Sequence, residues 1–575
     1  MSYYQPPTQD MLLLLKQVLQ APQRLQALSA FAQVDEELMT QVIEEAGKFV
    51  GEVVAPLNRD GDEIGAQWQA GAVTMPPGFK AAYQSFWQGG WASLSAATED
   101  GGQGLPAVLE HALYEMLSAA NHGWTMAPGL LHGAYECIKH HASDALKKDY
   151  LEKVATGEWL ATMCLTEPHA GSDLGLARTK ATPLPDGRYA LSGTKIFISG
   201  GEHDLSENIV HLVLARLPDA PPGPKGLSLF LVPKFYPDGT RSAVHCDRIE
   251  EKMGLHGSPT CVMRFDDAAA WIVGDPSKGL HAMFVMMNAA RLHVALQGVG
   301  LLDAAWQKAD AYARERRQMR APGSRSPGGQ ADLIAMHPAM RRILDTQRAW
   351  VDGGRVLAYQ TAIELDVIKH GQGEALARAQ RWCALVTPVM KSIFTHQAFH
   401  GGSDCLQVFG GHGYVREWGV EQIIRDARVT MIYEGTNEIQ AIDLLIRKVL
   451  PDGGTALFAL LEDLKAQLET LPQSQACLGR IDALRGSVTT VLQAATKDAT
   501  MPYQVADDVL RMVGLVLLDA SWLRIMQGLH ADMPEFATRW QAPHQALQAW
   551  VLPEFEMRRA IVAQAAAPLV GEVLT

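Results

Sequence analysis

Long apolar runs are scarce in this sequence of 575 residues, so we predict no membrane-spanning helix. The densest run near the start, Met11–Leu15, is cut by Lys16 and has neither a basic segment before it nor a small-residue cleavage site after it. We therefore expect no signal peptide. Leu12, Leu15 and Leu19 are spaced as one face of a short amphipathic helix, which we expect to dock on the rest of the chain.

Cysteine and positive charge are also in short supply. The seven cysteines are scattered with no C-x-x-C pair, which argues against a disulfide framework or a zinc ribbon and predicts a cytoplasmic protein. Lys and Arg total 50 against 63 Asp and Glu, so the net charge of −13 offers no basic surface for nucleic acid. H-E-x-x-H is absent, and His396 and His400 are interpreted as ordinary histidines rather than metal ligands.

Three common motifs for cofactors and nucleophiles are missing as well. The segment from Gly411 to Tyr414 begins like G-x-G-x-x-G, but Arg416 stands at the third glycine and a helical stretch precedes it. A Rossmann fingerprint would need that glycine and a preceding strand. No Walker A motif and no G-x-S-x-G elbow occur, which argues against a P-loop enzyme and an α/β-hydrolase.

The sequence does have a globular composition, 47% hydrophobic and 20% charged, and its pattern changes along the chain. Residues 1–158 and 278–450 show helical spacing, residues 159–277 show short β-branched or alternating runs, and residues 451–575 repeat leucine at helical steps. We predict four domains with these bounds, in a mainly α protein with a central antiparallel β domain and a C-terminal helical bundle. The clearest strands, helices and loop are Arg188–Ser199, Ile209–Arg216, Gly226–Pro233 and Cys261–Phe265, then Leu301–Arg316, His337–Glu364 and Ala375–Phe399, with a Gly/Pro-rich surface loop at 321–329.

Two segments contain residues suited to chemistry. In Met163–Asp173, glycine and hydroxyl side chains could bring donors against a flat polar ligand, or could form an ordinary Asx or Ser turn. In Met431–Gln440, Glu434 has apolar neighbours and a following glycine, so its pKa could be raised for work as a general base. The alternative is that Glu434 caps the helix starting near Asn437.

The sequence resembles the acyl-CoA dehydrogenases over about residues 40–450. Five segments, L-T-E-P-x-A-G-S-D, I-F-I-S-G-G, E-R-R-Q, Q-V-F-G-G-H-G-Y and Y-E-G-T-N-E-I-Q, occur in the order and spacing of that family. The resemblance implies a helix–β–helix architecture. The added N-terminal helix and C-terminal bundle are similar to its long, 3-methylmercaptopropionyl-CoA dehydrogenase-like branch.

The resemblance also implies an FAD cofactor bound between the β domain and the C-terminal helices. The residues that match the loop along the flavin are Met163, Leu165, Thr166, Gly171 and Ser172. Phe197 and Ser199 match positions beside the flavin ring, where the family has Trp and Thr, and Arg316 matches the diphosphate contact. The remaining matches to FAD contacts are Gln318, then Gln407, Gly410 and Gly411 at the adenosine end across a subunit boundary, then Thr436 and Glu438. A homodimer is therefore implied.

Glu434 matches the catalytic base of the family, and Ser172, Asn288, Arg291 and Gly435 match the region that binds the substrate. The implied reaction removes the α-proton with Glu434 and passes the β-hydride to flavin N5, giving a trans-2-enoyl-CoA. The implied substrate is 3-methylmercaptopropionyl-CoA or a fatty acyl-CoA of β-oxidation, with an electron-transferring flavoprotein as acceptor. An acyl-CoA oxidase and a non-catalytic protein that binds CoA thioesters remain the alternatives.

Overall fold

The computed structural model describes residues 4–324, 330–529 and 536–567. The chain divides into two compact units, which we call the α/β unit, residues 3–6 with 41–293, and the helical unit, residues 7–40 with 294–575. The predicted surface loop at 321–329 lies partly outside the described residues, as does the end of the predicted C-terminal bundle. Among the described residues, no helix is long and apolar enough to cross a membrane.

The α/β unit begins with helices and continues into a sheet. Its helical segments follow the helical spacing predicted for residues 1–158, and Ala107–Ala120 is buried along its whole length. The segments before the sheet are Glu36–Phe49, which begins in the helical unit, then Val50–Val54, Asn58–Ile64, Phe79–Gln88, Ala107–Ala120, His122–Thr125, Leu131–His141, Asp144–Leu146, Lys147–Leu151 and Glu152–Ala155. A small hairpin, β1 (Gln67–Gln69) with β2 (Ala72–Thr74), lies among them.

Seven further strands form one sheet in the α/β unit. They are β3 (Leu160–Cys164), β4 (Lys180–Pro183), β5 (Tyr189–Ser199), β6 (Ile209–Arg216), β7 (Leu227–Pro233), β8 (Val244–Ile249) and β9 (Thr260–Val273). The order β3-β6-β4-β5-β9-β7 returns on itself because β7 also pairs with β6, and β8 pairs with β9. β6 and β7 are almost wholly buried, which explains their continuous apolar sequences.

The sheet is antiparallel in most pairs, as predicted, but β3 and β4 each run parallel to β6. The sequence analysis missed these parallel pairs because it identified neither β3 nor β4. Both are short, and parallel neighbours are joined by a long stretch of chain that carries no turn signal. The mainly α fold with a β domain is confirmed.

The helical unit is built from long helices that exceed their predicted bounds. We label α1 (Gly279–Glu315, of which the part from Val294 belongs here), α2 (Pro338–His370), α3 (Gly373–Phe409) and α4 (Asn437–Ile442). The other helical segments are Thr8–Leu13, Leu14–Val18, Ala21–Gln26, Val420–Arg428, Asp443–Val449, Thr455–Leu468, Gln475–Ala495, Met501–Gln504, Ala506–Gly528, Ala537–Gln541, Ala542–Ala546, Leu547–Val551 and Pro553–Ala566. Leu12, Leu15 and Leu19 are buried, so the docking of the N-terminal helix is confirmed.

Two glycines explain how closely these helices pack. A Cβ on Gly298 of α1 would lie 2.6 Å from the backbone carbon of Phe394 in α3. A Cβ on Gly353 of α2 would lie 2.6 Å from Leu518 and 2.8 Å from the indole nitrogen of Trp522, in the helix Ala506–Gly528. That indole donates a hydrogen bond to the carbonyl oxygen of Ala349 at 2.8 Å, so the C-terminal bundle lies directly on α2.

Buried charges connect the N-terminal helix, the long helices and the C-terminal bundle. Three carboxylates meet three guanidinium groups here: Asp10, Asp303 and Asp352 with Arg348, Arg355 and Arg539. Arg348 reaches Asp303 at 3.0 Å, and Arg539 reaches Asp352 at 2.6 Å and Asp10 at 2.7 Å. Equal numbers of each sign and several hydrogen bonds per group offset the cost of removing these charges from water.

Removing the negative charge at the centre of this network tests its contribution to stability. We expect Asp303→Asn to lower the free energy of unfolding by about 3–5 kcal/mol, because Arg348 and Arg355 would lose a buried partner. The exposed pair of Arg485 and Glu462 provides the control, and Glu462→Gln should change stability by less than about 1 kcal/mol. Urea unfolding of both variants measures the difference. Equal stability of the two variants would contradict the role given to the network.

Candidate active site

In the α/β unit, the loop after β3 carries the predicted flavin-binding residues. The N–H of Ile196 in β5 donates to the carbonyl oxygen of Thr166 at 2.9 Å, which fixes the loop against that strand. Glu167 and Ala170 exchange two backbone hydrogen bonds, of 2.9 and 3.0 Å, and close a turn. The structure thus brings the loop together with Phe197 and Ser199 on β5.

A buried carboxylate anchors this loop. Glu167 accepts hydrogen bonds from the ammonium of Lys195 at 2.8 Å, the hydroxyl of Thr179 at 2.7 Å and the backbone N–H groups of Arg178 and Thr179. Lys195 also donates to the carbonyl oxygen of Leu165 at 3.0 Å. Burial by itself would raise the pKa of Glu167, but the charge and hydrogen bond of Lys195 and the N–H donors lower it to about 2.

Sequence reasoning missed both Glu167 and Lys195 as residues that hold the loop. The sequence did contain an indication of this pair. Lys195 is four residues after the buried Leu191, so both side chains lie on the same face of the strand, where an apolar residue is normal. A lysine at an inward position needs a buried anion. That anion is Glu167, which belongs to the L-T-E-P-x-A-G-S-D segment.

Phe197 is presented outward by an irregular piece of β5. The pairing of β5 with β9 shifts register between Lys195 and Ile198, as in a β-bulge. Phe197 there has φ of 60°, in the left-handed region that non-glycine residues rarely adopt, and its ring is 60% exposed. Such strain persists only where the surroundings impose it, and it is concentrated at functional sites.

The remaining loop residues are accessible. Gly171 and Ser172 are exposed, and Met163, Leu165, Thr166 and Ser199 are half-buried. A Cβ on Gly171 would have nothing closer than 4.0 Å, so the space beside this glycine is open. The Asx turn that was the alternative for this segment is also present, at its last residue. Asp173 accepts a hydrogen bond from the N–H of Gly175 at 2.9 Å.

In the helical unit, Glu434 lies in the short connection before α4. It is half-buried and has φ of 55°, a second strained position among the predicted site residues. The cap of α4 is Thr436, whose hydroxyl oxygen accepts from the N–H of Ile439 at 3.3 Å. The alternative that Glu434 caps this helix is therefore wrong.

A second buried lysine supports the connection that carries Glu434. Lys391 of α3 donates to the carbonyl oxygen of Gly435 at 2.7 Å and to the side-chain oxygen of Asn437 at 3.0 Å. Gln440 donates to the carbonyl oxygens of Glu434 and Gly435 at 3.0 and 3.2 Å. The backbone that follows the carboxylate is thus held by two side chains that could not be identified from the sequence.

The hydroxyl of Tyr433 adds a contact from the preceding residue, donating to the amide oxygen of Gln297 in α1 at 2.5 Å. Burial and the nearby charge of Glu434 raise the pKa of Tyr433 well above its usual range, so the hydroxyl keeps its proton. The connection that carries Glu434 is therefore bound to α1 through Tyr433 as well as to α3 through Lys391.

The residues predicted to hold the diphosphate and adenosine lie together, apart from Glu434. Tyr312, one turn before Arg316, stacks on Phe409 at 4.4 Å and hydrogen-bonds His412 at 3.0 Å, which brings Arg316 near the end of α3. Gln407, Gly410 and Gly411 lie at this end, exposed, with nothing within 4 Å of a Cβ on either glycine. From Lys391 to Gln407, α3 advances about 24 Å, so the two groups are well separated.

The segment from Arg316 to Gln318 is extended and paired. The N–H of Ile334 donates to the carbonyl oxygen of Arg316 at 2.8 Å, and that of Gln318 donates to Asp332 at 3.0 Å. Asp332 is fully buried and also accepts from the N–H of Ala321 at 2.8 Å, so it holds the start of the Gly/Pro-rich insertion.

The predicted substrate-binding residues of α1, Asn288 and Arg291, lie in the α/β unit, where Asn288 is exposed and Arg291 is buried. Glu438, on α4, is exposed.

The rings of His396 and His400 lie against each other, with centroids 4.1 Å apart. Within the described ranges, no group of three or more His, Cys, Asp or Glu could hold a metal ion.

Comparisons with known proteins place this arrangement in context. Residues 36–158, 162–268 and 277–449 match the family models for the N-terminal, middle and C-terminal domains of acyl-CoA dehydrogenases. The chain is 44% identical over 483 residues to 3-methylmercaptopropionyl-CoA dehydrogenase of Ruegeria pomeroyi, covering 83% of this chain and 82% of that protein. It is 33% identical to the broad-specificity linear acyl-CoA dehydrogenase FadE5 of Mycobacterium tuberculosis, covering 88% and 86%.

Two solved structures share the fold at lower identity. Caenorhabditis elegans ACDH-11, in complex with C11-CoA, superposes with a TM-score of 0.75 at 19% identity, covering 99% of this chain and 97% of that one. An acyl-CoA dehydrogenase of Bacillus anthracis, complexed with FAD, gives 0.74 at 21% identity, covering 93% and 89%.

The anchor of the loop after β3 can be tested through its pH dependence. We expect Glu167→Gln to lower the free energy of unfolding by about 3 kcal/mol at pH 7, because the charged form is bound far more strongly in the folded state. Because folding lowers this pKa from 4.5 to about 2, the contribution is complete above about pH 6 and is lost as the pH falls toward 2. The difference from the wild type should therefore shrink by about 1 kcal/mol at pH 4 in urea unfolding.

The matched control is Glu207→Gln, because Glu207 is exposed in the same unit. This variant should stay within about 0.5 kcal/mol of the wild type at both pH values. The role of the buried pair would be contradicted if Glu167→Gln had nearly the wild-type free energy of unfolding at pH 7. It would also be contradicted if the difference from the wild type became larger at pH 4.

Proposed function

We propose that this chain, which belongs to the acyl-CoA dehydrogenase family, oxidises the Cα–Cβ bond of an acyl-CoA thioester to a trans-2-enoyl-CoA. One observation carries the proposal. Glu434 is a half-buried carboxylate at a strained backbone position, with Tyr433 bound to Gln297 before it and the following carbonyl groups held by Lys391 and Gln440. A general base must be held at a fixed place relative to the proton it removes, and this support provides that.

We propose FAD as the cofactor, and the residues in each unit suit it. In the α/β unit, Thr166, Ser172 and Ser199 offer hydroxyl groups, the exposed ring of Phe197 offers a stacking surface, and the space beside Gly171 is open. In the helical unit, the exposed guanidinium of Arg316 suits a diphosphate. When bound, FAD supplies the acceptor for the hydride and the electrons.

Glu434 would take the α-proton of the thioester. An α-proton is a very weak acid, so the thioester carbonyl must be polarised by a donor, and the backbone N–H of Glu434 is our candidate. Lys391 and Gln440 act as positioning residues, since they bind the carbonyl groups of the same connection. Ser172, Asn288, Arg291 and Gly435 are proposed to bind the substrate, Arg291 through its buried guanidinium.

We further propose that the enzyme works as a homodimer. Gln407, Gly410 and Gly411 lie about 24 Å along α3 from the lysine that holds the Glu434 connection. Arg316 lies on their side, through the contacts of Tyr312. That separation supports their use by the cofactor of a second copy. An electron-transferring flavoprotein is the proposed acceptor of the electrons.

The proposed substrate is 3-methylmercaptopropionyl-CoA, ahead of a fatty acyl-CoA. Its support is the 44% identity to the Ruegeria pomeroyi enzyme over 483 residues, which are 83% of this chain and 82% of that protein. The linear acyl-CoA dehydrogenase of Mycobacterium tuberculosis covers a similar share of this chain, 88%, at the lower identity of 33%.

Replacing the base tests the proposed reaction directly. We expect Glu434→Gln to keep its flavin and to lose at least about 100-fold in the rate of anaerobic flavin bleaching by substrate, because the proton acceptor is gone. Stopped-flow absorbance measures that rate. The control, Glu469→Gln, alters an exposed glutamate of the C-terminal bundle and should bleach at the wild-type rate. Unchanged bleaching by Glu434→Gln would place the base elsewhere, and protein purified without flavin would refute the cofactor.

A panel of thioesters tests the substrate and the acceptor. We expect 3-methylmercaptopropionyl-CoA to bleach the flavin with at least about tenfold higher kcat/KM than butyryl-CoA or octanoyl-CoA, a difference of about 1.4 kcal/mol in the transition state. Turnover should need an added electron acceptor. Faster bleaching by the fatty acyl thioesters would reassign the substrate, and rapid oxygen consumption without an acceptor would identify an oxidase.

A further inference from the structure

A cavity of about 280 Å³ lies within the helical unit, where the N-terminal segment, the two longest helices of this unit and the first bundle helix meet. Arg24 comes from the N-terminal segment, Glu364 from α2, Arg381 from α3 and Asp463 from the helix Thr455–Leu468. Its volume is just below the range of about 300–1,000 Å³ that is usual for pockets that bind small molecules. None of its lining residues belongs to the proposed active site.

The cavity has more positive than negative charge. Arg24 pairs with Glu364 at 2.7 Å, and Arg381 pairs with Asp463 at 2.6 Å, which leaves Arg378 as a third guanidinium on the lining. The nearest carboxylate to Arg378 is Glu374, 3.9 Å away with its side chain 85% exposed, so solvent screens this pair. The lining therefore has an excess cation with little compensation.

A fourth arginine lies directly behind the lining. Arg524 donates hydrogen bonds to the side-chain oxygens of Gln360 and Gln467, both of which line the cavity. Burial, with the positive charge of Arg24 beside it, lowers the pKa of Arg524 to about 10, so it remains a cation at neutral pH. Because their oxygens face Arg524, the two amides keep their NH2 groups as donors.

The lining also has an apolar part. Trp382 and Leu460 contribute a flat ring and a branched chain, and further apolar contacts come from Val367, Ala375 and Leu464. Guanidinium and amide donors together with an indole are the elements that recognise an anionic group on an apolar body. Water or a simple inorganic ion would make no apolar contact with Trp382 and Leu460.

We propose that this cavity binds a small organic anion, with one carboxylate or phosphate group at Arg378 and an apolar body against Trp382. Because its walls come from the N-terminal segment, the long helices and the bundle, a bound anion connects three parts of the helical unit. Binding to the folded state alone then raises its stability by mass action.

The test uses the full-length holoenzyme and three probes, benzoate, phenyl phosphate and inorganic phosphate. We expect saturable binding of benzoate or phenyl phosphate by calorimetry, with an increase in thermal unfolding temperature. Preference for one of the two identifies the head group as carboxylate or phosphate. Inorganic phosphate should bind at least about tenfold more weakly, since it lacks the apolar body.

Two pairs of variants locate the binding. Arg378→Gln should weaken the preferred probe about tenfold, whereas Arg447→Gln, which has an equally weak i,i+4 pair on another exposed helix surface, should not. Ala375→Phe should block the cavity, whereas Ala377→Phe, exposed nearby but off the lining, should leave binding unchanged. Absence of saturable binding by every probe, equal binding of inorganic phosphate, or loss of binding in neither cavity variant would overturn the proposal.

Discussion

A buried ammonium group supports each of the two loops on which the proposed chemistry depends. Lys195 in the α/β unit and Lys391 in the helical unit are both completely buried, where an unpaired charge would be strongly unfavourable. Each therefore requires a fixed set of acceptors: Glu167 and a carbonyl oxygen for Lys195, a carbonyl and the amide of Asn437 for Lys391. Because these acceptors must stay in place around the ammonium group, the loop after β3 and the connection before α4 are held in fixed conformations.

The two strained residues follow from this rigidity. Phe197 comes two positions after Lys195, and Glu434 immediately precedes the glycine whose carbonyl Lys391 holds. A left-handed backbone at a non-glycine residue costs of the order of 1 kcal/mol, so the surrounding contacts must impose it. Phe197 is exposed at its strained position, and Glu434 is half-buried at the other. The strained backbone that the proposed reaction would use is thus already present in the folded chain.

Much of this could be predicted from the sequence, and the reasons are local. Apolar spacing located the long helices and the strands β5, β6, β7 and β9, and the segment around Glu434 stood out because a carboxylate follows apolar residues and precedes glycine. The start of α1 and the end of α3 were placed too far inward, since their Met-, Ala- and Gly-rich stretches show little amphipathic contrast.

The supporting residues could not be found in the same way. Lys391 and Glu434 are 43 positions apart, and Glu167 and Lys195 are 28 apart, so only the folded chain shows that they belong together. The parallel neighbours of β6 were missed for the same reason. Periodicity reports which face of an element is apolar, but it carries no information about which distant polar group meets another.

The closeness of the bundle to α2 has a consequence for how this chain can be divided. Gly353 leaves room for Trp522, and Arg539 reaches Asp352 from the far end of the sequence. A chain ending at residue 450 would uncover the face of α2 on which Trp522 packs, and it would leave Asp10 and Asp352 with Arg348 and Arg355 but without Arg539. The C-terminal extension therefore completes the apolar and ionic packing of these helices, and truncation at that point would expose it.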